Sequence, residues 1–226
     1  MAIPSSFWTI FTSGLDREVV LEETAKYNQI IRPFGPPIGL YDIPEKLCIQ
    51  LNDLVDSDSP ELSPNGENLA GQIEAEYRIS ANACQKLGLG DYLANAVSTF
   101  IEQSTEKKIT KFVLKDIWVN RQFANEYNPT HWHSGHISGA GWLKVPTDMV
   151  TAGKKRKDRD GVITFTHGSR QFLSYSTYIV EPAAGVMSIF PHYLMHHVYP
   201  FAADGERRSL AFNAEIDEDI FDWYGA

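Results

Sequence analysis

The residues that follow Lys107 form short runs of β-branched and aromatic side chains, and glycine, proline and asparagine separate these runs. The pattern predicts seven strands, at residues 112–123, 131–145, 161–166, 176–181, 185–190, 197–201 and 208–216. Because helices do not alternate with these strands in the sequence pattern, a parallel α/β arrangement is disfavoured. Short consecutive strands favour an antiparallel sandwich or barrel.

The residues before Lys107 have the spacing of apolar side chains that is typical of helices. Helices are predicted at residues 16–31, 44–55 and 81–103, with a surface loop at 56–68. Because the residues before this loop are too few to form an independent core, we expect the chain 1–226 to be a single domain. Within it, residues 1–107 are predicted to form a helical scaffold and residues 108–226 a strand-rich core.

The charge and the cysteine count narrow the classes of partner and location. The chain has 29 acidic and 20 basic residues, so it lacks the positive field by which proteins attract nucleic acids and anionic membranes. A small molecule or a protein side chain is the expected substrate, and the oligomeric state is open. Two cysteines (Cys48 and Cys84), no signal-peptide pattern and no apolar run long enough to span a membrane indicate the cytoplasm. The basic run 154–159 is expected to be a solvated loop, the alternative being a rim or lid that steers substrate.

All seven histidines lie between residues 131 and 197. In a strand, residues i and i+2 point to the same side, so His131 and His133 are predicted to direct two imidazoles into one space. Such a pair suits two ligands of one metal ion, although a pair alone is half a site. A third ligand could come from His192, His196 or His197, and the pattern does not choose among them.

A second pattern, in residues 205–214, predicts a site for a carboxylate. Strand alternation places Arg207 and Ser209 on one face, where a guanidinium and a hydroxyl could bind both oxygens of an organic acid. The alternative is an internal salt bridge from Arg207 to an aspartate or glutamate, because a buried arginine needs an anion.

The ordered set of motifs resembles the iron(II)- and 2-oxoglutarate-dependent dioxygenases. The motifs are HxH at 131–133, FPxxLxHxVxP at 190–200 and RxSxxFN at 207–213, within a matched region of about 118 to 213. The segment GAGWLKVP at 139–146 is similar to a subfamily that carries the HxH pattern. The resemblance implies a mainly β (α+β) fold, a double-stranded β-helix (a cupin-like jelly roll) with the N-terminal helices packed outside it.

The resemblance also implies roles for individual residues. His131, His133 and His196 match the metal ligands, and Arg207 and Ser209 match the pair that holds the distal carboxylate of 2-oxoglutarate. The asparagines that precede the first ligand, Asn120 and Asn128, match positions that bond the co-substrate or shape a turn. The implied cofactor is Fe(II), and the implied activity is oxidation, expected to be hydroxylation, of an unidentified substrate with release of succinate and CO2.

The sequence departs from the wider superfamily at His133, where an aspartate or glutamate is usual. Three histidines could be the native ligand set, or His133-Ser-Gly135 could be an HxG variant in which a halide or water replaces the carboxylate. The first is favoured, because the second leaves His131 without a role. Two other functions stay open: a three-histidine cupin-type metalloenzyme that does not use 2-oxoglutarate, and a non-catalytic metal-binding jelly roll.

Overall fold

The computed structural model of the protein describes residues 8–11, 27–31, 33–65, 73, 75–147, 149 and 160–225. The basic run 154–159 and most of the predicted helix 16–31 lie outside these residues. In the described chain, no helix is both long and apolar enough to cross a membrane.

Two antiparallel sheets form the body of the protein. The larger sheet has the order β2-β3-β11-β8-β13-β6-β5-β4, and β1 also pairs with β6. Its strands are β1 (Trp8–Phe11), β2 (Tyr27–Ile31), β3 (Ile38–Asp42), β4 (Leu62–Pro64), β5 (Ala75–Ile79), β6 (Lys111–Gln122), β8 (Ile137–Lys144), β11 (Val186–Pro191) and β13 (Arg207–Ile216). The smaller sheet has the order β10-β9-β12-β7. Its strands are β7 (Asn128–His131), β9 (Ile163–Thr166), β10 (Thr177–Val180) and β12 (Met195–Val198).

In the residues that the structure describes, four helices accompany the sheets: α1 (Glu45–Asp56), α2 (Ala81–Leu87), α3 (Leu89–Thr105) and α4 (Glu218–Gly225). The apolar stripes of α1, α2 and α3 join one core with the outer face of the larger sheet. Along β13, Leu210 and Phe212 belong to this core. Because successive strand residues alternate, Arg207, Ser209 and Asn213 occupy the opposite, inner face.

The inner face of the larger sheet packs against the smaller sheet. A second apolar core unites Trp142 and Phe190 of the larger sheet with Ile163 and Phe165 of the smaller one. This arrangement of two packed antiparallel sheets is the jelly roll, with helices outside it, so the predicted fold class is confirmed.

Several boundaries differ from the predicted elements. The end of the predicted helix 16–31 is strand β2, and the strands β2 to β5 extend the larger sheet, so the described part of the first 107 residues contains strands as well as helices. The predicted helix 81–103 is divided at Gly88, which has φ 66° and ends α2. The predicted strand 131–145 is divided into β7 and β8 by a turn at 132–136, where Gly135 has φ 91°. An ideal Cβ there would lie 2.9 Å from the carbonyl oxygen of Ala214, so the turn requires glycine.

An ion-pair network joins β13 to helix α1. The guanidinium of Arg208 is fully buried and donates to the carboxylates of Glu206 and Asp56. It also donates to the backbone and side-chain oxygens of Asn52. Arg208 therefore has anionic partners, Glu206 and Asp56.

Candidate functional site

Three histidines meet at one end of the smaller sheet. His131, the last residue of β7, lies directly opposite His196 of β12 in the strand register. His133 follows β7 by two residues, in the turn, and its backbone N–H donates to the carbonyl of His192 at 3.0 Å. The prediction that these side chains share one space is correct, but the reason is different, because His133 reaches the site from a turn and not by strand alternation.

The ring nitrogens of the three histidines converge. Their ligand atoms all lie within 4.8 Å of one another, and Nε2 of His133 is 3.2 Å from Nε2 of His196. Nδ1 of His131 donates to the carbonyl of Pro129 at 2.7 Å, and Nδ1 of His196 donates to the carbonyl of Leu194 at 2.9 Å. Since a carbonyl oxygen only accepts, both rings carry their proton on Nδ1 and present the lone pair of Nε2 to the common point.

The three imidazoles are held in their neutral form. Burial lowers the pKa of His131 and lowers that of His133 to about 3, with the neighbouring histidines adding to the effect at His133. The pKa of His196 lies well below its ordinary value for the same reasons, burial first. Neutral imidazole is the form that binds a metal ion, so this donor set fits a divalent cation such as Fe(II).

Aromatic residues surround the cluster. The ring of Trp118 lies 5.8 Å from that of His133, and the ring of Phe190 lies 4.9 Å from that of His196. Among the described residues, the cluster includes no carboxylate, and His133 stands at the position where an aspartate or glutamate is usual. The geometry favours three histidines as one ligand set over the HxG alternative, because it gives His131 the same access to the common point as His133 and His196.

The other four histidines have different surroundings. The ring of His136 stacks on Phe221 at 4.0 Å, and its Nδ1 accepts from the backbone N–H of Ile216. Nδ1 of His192 contacts the carbonyl oxygen of His136, 3.2 Å away. His167 stacks on Phe34 in the β9–β10 region, and His197 lies edge-on to Tyr199. These contacts are structural, and they leave His196 as the third member of the cluster out of the three candidates.

An open cavity of about 330 Å³ lies against the cluster. His131 and His133 form part of its wall, and Asn128 and Asn213 lie beside them. The rest of the lining consists of Asn65, Glu76, Arg78, Asp116, Trp118, Trp132 and Ser134. The sequence pattern did not identify Glu76 or Arg78, although the alternation in AEYRI at 75–79 carries the signal of a strand.

Arg207 is 3% exposed on the inner face, and its guanidinium has only neutral partners among the described residues. Nε donates to the carbonyl of Gly161 and Nη1 to Oε1 of Gln122, both at 3.0 Å. Ser209 Oγ is 3.5 Å from the same Nη1. Burial lowers the pKa of Arg207 to about 9, which is the expected effect of desolvation without a counter-ion. The predicted alternative, an internal salt bridge, is therefore not found in the described part of the chain.

Several buried polar atoms, near this arginine or near the histidine cluster, have no hydrogen-bond partner in the described part of the chain. The indole Nε1 of Trp142 is one, and the Arg207 guanidinium lies 5.8 Å from the centre of the same indole ring. Oδ1 of Asn120 and Oδ1 of Asn128 are two others, at positions that the sequence indicated. Buried polar groups are normally satisfied, so unpaired donors and acceptors around a buried cation indicate a polar ligand.

Comparison with known proteins agrees with this geometry. Residues 116–213 match a family whose description reads "Putative 2OG-Fe(II) oxygenase". An oxidoreductase of the 2OG-Fe(II) oxygenase family from Burkholderia pseudomallei is similar in fold, with 13% identity and a TM-score of 0.51. The superposition covers 74% of this chain and 76% of that one. The viral collagen prolyl hydroxylase of Paramecium Bursaria Chlorella virus-1, in its 2OG complex, has 14% identity, a TM-score of 0.50, and coverage of 78% and 94%.

A third similar structure is a prolyl hydroxylase from Trichoplax adhaerens, in complex with a peptide fragment of the hypoxia inducible factor oxygen degradation domain. It has 14% identity, a TM-score of 0.50, and coverage of 79% of this chain and 80% of that one. A search of curated proteins gave no significant match. The structures support the jelly-roll fold, and the family match, which covers somewhat less than half of the chain, makes residues 116–213 similar to the 2OG-Fe(II) oxygenases, an enzyme family with Fe(II) as cofactor and 2-oxoglutarate as co-substrate.

Proposed function

We propose that this oxygenase hydroxylates its substrate with His131, His133 and His196 as the ligands of Fe(II) and with Arg207 and Ser209 as the binding site for the distal carboxylate of 2-oxoglutarate. The observation that carries the proposal is the buried guanidinium of Arg207, which has no acidic partner among the described residues and faces the inside of the jelly roll. When bound, Fe(II) and 2-oxoglutarate together supply the activation of dioxygen that oxidises a C–H bond, with succinate and CO2 as co-products.

The protein contributes a fixed orientation to the co-substrate. The hydrogen bonds from Arg207 to Gly161 and Gln122 hold the guanidinium in place, and they use Nε and one of its two terminal nitrogens. The other terminal nitrogen and the Ser209 hydroxyl are then available to an incoming carboxylate. The unpaired Nε1–H of Trp142 lies on the strand position opposite Ser209, and we infer that it is a further donor to the same carboxylate.

The asparagines complete this surface. Asn120 lies opposite Ser209 in the register of β6 and β13, and its buried Oδ1 has no partner. Asn128 lines the cavity beside His131, with its Oδ1 also unpaired. We propose that both orient the co-substrate or a water molecule next to it, while Phe165 and Phe190 exclude bulk water from the side of His196.

The two alternative functions predict a different use of Arg207. A cupin-type enzyme without 2-oxoglutarate, and a protein that only binds metal, have no need for a desolvated arginine on the inner face. The cost of burying this cation without an anion therefore favours the oxygenase over both.

We also propose a cytoplasmic location and a small-molecule or protein side-chain substrate. Free thiols at Cys48 and Cys84, whose pKa burial raises to about 11 in each case, are consistent with a reducing compartment. The net charge of −9 disfavours nucleic acid as the substrate.

The direct test is the release of succinate from 2-oxoglutarate by the aerobic protein loaded with Fe(II), measured first without a prime substrate and then with a library of candidate compounds. We expect slow basal turnover that requires Fe(II) and is lost in His131→Ala, His133→Ala and His196→Ala. Stoichiometric iron binding without any succinate, in every condition, would contradict the proposed activity and favour a metal-binding protein.

A further inference from the structure

The cavity beside the histidine cluster contains a carboxylate that the proposed binding of metal and co-substrate does not use. Glu76 lies on β5 and lines the cavity together with His131 and His133. It is 5% exposed. Among the described side chains, only Asn65 donates a hydrogen bond to its carboxylate, from Nδ2 at 3.4 Å. A carboxylate in this position is costly to bury, because a single long hydrogen bond from an amide is a weak substitute for water.

The neighbouring cation does not compensate Glu76. Arg78, which also lines the cavity, has Nη1 3.3 Å from Oδ1 of Asp116, and its Nε donates to Oδ1 of Asn65 at 2.6 Å. Among the described residues, no lysine, arginine or histidine lies within ion-pair distance of Glu76. With Arg78 and Asp116 neutralising each other, the side chains of this cavity carry one net negative charge when Glu76 is ionised, which requires a pH above its pKa or a bound cation. Burial raises the pKa of Glu76 to about 7, as expected for a carboxyl group without a cation.

The strand register fixes the place of Glu76 relative to the proposed co-substrate site. Glu76 lies opposite Asn120, Asn120 lies opposite Ser209, and Ser209 lies opposite Trp142, so the four positions form one row across the inner face. Neighbouring strands are about 4.8 Å apart, which places Glu76 about 10 Å from Ser209. The inner face is therefore cationic where Arg207 lies beside Ser209 and anionic at the edge where Glu76 lies.

Aromatic side chains form another part of the cavity wall. Trp118 and Trp132 both line it, and Trp132 is 65% exposed, at the open side. Aromatic faces combined with a carboxylate attract an ammonium group, because the ring quadrupole and the anion both favour a cation. An anionic group would be repelled by Glu76 and gain nothing from the rings.

We propose that Glu76 binds a protonated amino group of the prime substrate and so positions the substrate in the cavity next to the metal cluster. The inference rests on the proposed function for the identity of the reaction, but the amine site itself requires neither iron nor turnover. The opposite charges of Arg207 and Glu76 keep the two ligands in separate parts of the interior: the dicarboxylate 2-oxoglutarate at one, and an amine at the other.

The test compares three probes of one size: n-hexylamine, 1-hexanol and hexanoate. Binding is measured by calorimetry to the full chain loaded with Fe(II) and 2-oxoglutarate under anaerobic conditions, and again to the metal-free chain. We expect hexylamine to bind at least about tenfold more tightly than hexanol, and hexanoate not to bind, because the charged hydrogen bond is available to the amine alone. The preference should persist without metal.

Variants assign the preference to Glu76. Glu76→Gln is expected to bind hexylamine and hexanol equally, whereas Glu181→Gln, at an exposed position outside the cavity, should retain the wild-type preference. Glu76→Asp keeps the charge, but its shorter side chain withdraws the carboxylate from the cavity. This variant should therefore still prefer hexylamine to hexanol, but bind hexylamine less tightly than the wild type does. It serves as the second variant if the glutamine protein does not fold.

The outcomes separate this proposal from the proposed function. Equal binding of amine and alcohol to the wild type, an amine preference that survives in Glu76→Gln, or an unchanged affinity in Glu76→Asp would each overturn the role of Glu76. A retained amine preference in a protein that releases no succinate would instead contradict the oxygenase activity and leave the amine site standing.

Discussion

Replacement of Arg207 by methionine should separate stability from co-substrate binding. Methionine fills a similar volume without charge, so Arg207→Met removes the cation and leaves the packing against Trp142 largely in place. If Arg207 is present for 2-oxoglutarate, the ligand-free protein should tolerate this change, and the affinity for 2-oxoglutarate should fall steeply.

The magnitudes follow from the contacts of the guanidinium. The fall of its pKa from the ordinary arginine value to about 9 corresponds to a burial cost of about 5 kcal/mol. Its hydrogen bonds to Gly161 and Gln122, at about 1.5–3 kcal/mol each for a charged donor, offset about 3–6 kcal/mol of that cost. The two effects nearly cancel, so the free energy of unfolding of the ligand-free variant should change by no more than about 2 kcal/mol.

Binding of 2-oxoglutarate has no such compensation. Loss of one partner of a buried charge pair costs about 2–5 kcal/mol, and the lower value already corresponds to a dissociation constant about 30-fold higher. Calorimetric titration of 2-oxoglutarate into the Fe(II)-loaded protein under anaerobic conditions measures this change, and urea unfolding without ligand measures stability. The reasoning is refuted if the affinity stays within about threefold of wild type, or if the variant loses more than about 4 kcal/mol of stability without ligand.

Three further predictions concern neighbouring residues. Arg208→Met should lower the free energy of unfolding by about 3 kcal/mol in urea, because it leaves the buried carboxylate of Glu206 without its nearest cation; an unchanged midpoint would contradict this. His196→Ala should weaken Fe(II) binding at least about 100-fold, since even loss of an outer-shell partner costs 10- to 100-fold, whereas His197→Ala, one residue further, should bind iron like wild type in an equilibrium titration. Glu76→Gln should become more stable than wild type as pH rises, by up to about 3 kcal/mol at pH 8. The sign follows because the pKa of Glu76 in the folded protein, about 7, exceeds the ordinary 4.5. The stability that the protonated carboxyl contributes below pH 4.5 is therefore lost as the pH rises through 7. Parallel stability curves of the two proteins between about pH 4.5 and 8 would exclude this effect.

The sequence predicts the long strands of the sheets better than the turn at 132–136 and the edge strand β2. Strands such as β6 and β13 are long, β-branched and bounded by turn residues, so their positions are correct to within one residue. The run 131–145 looks like one strand because its glycines interrupt no apolar pattern, and the turn at 132–136 depends on the positive φ of Gly135, which local propensity does not encode. The sequence pattern predicts a helix at β2 because its isoleucines fit both periodicities, and the pairing of β2 with β3 makes this segment a strand.

The candidate site could be predicted where one strand or one motif carries the chemistry. The alternation in β13 placed Arg207 and Ser209 together on the inner face, as the structure has them. The choice of His196 over His192 and His197 came from the family resemblance, because all three stand within six residues and only the register of β12 with β7 distinguishes them. Glu76 could not have been found, since its relation to the histidines arises from pairing between strands far apart in the chain.

The central claim is that Fe(II) on the three histidines and Arg207 bind one molecule of 2-oxoglutarate together. Its most direct test is an anaerobic titration of 2-oxoglutarate into the Fe(II)-loaded protein, followed through the visible charge-transfer band that a 2-oxo acid gives when it chelates ferrous iron. The account predicts that the band saturates at one equivalent, and that Arg207→Met shifts saturation to at least about 30-fold higher concentration. Absence of the band in wild type, or saturation of the variant at the wild-type concentration, would contradict the account.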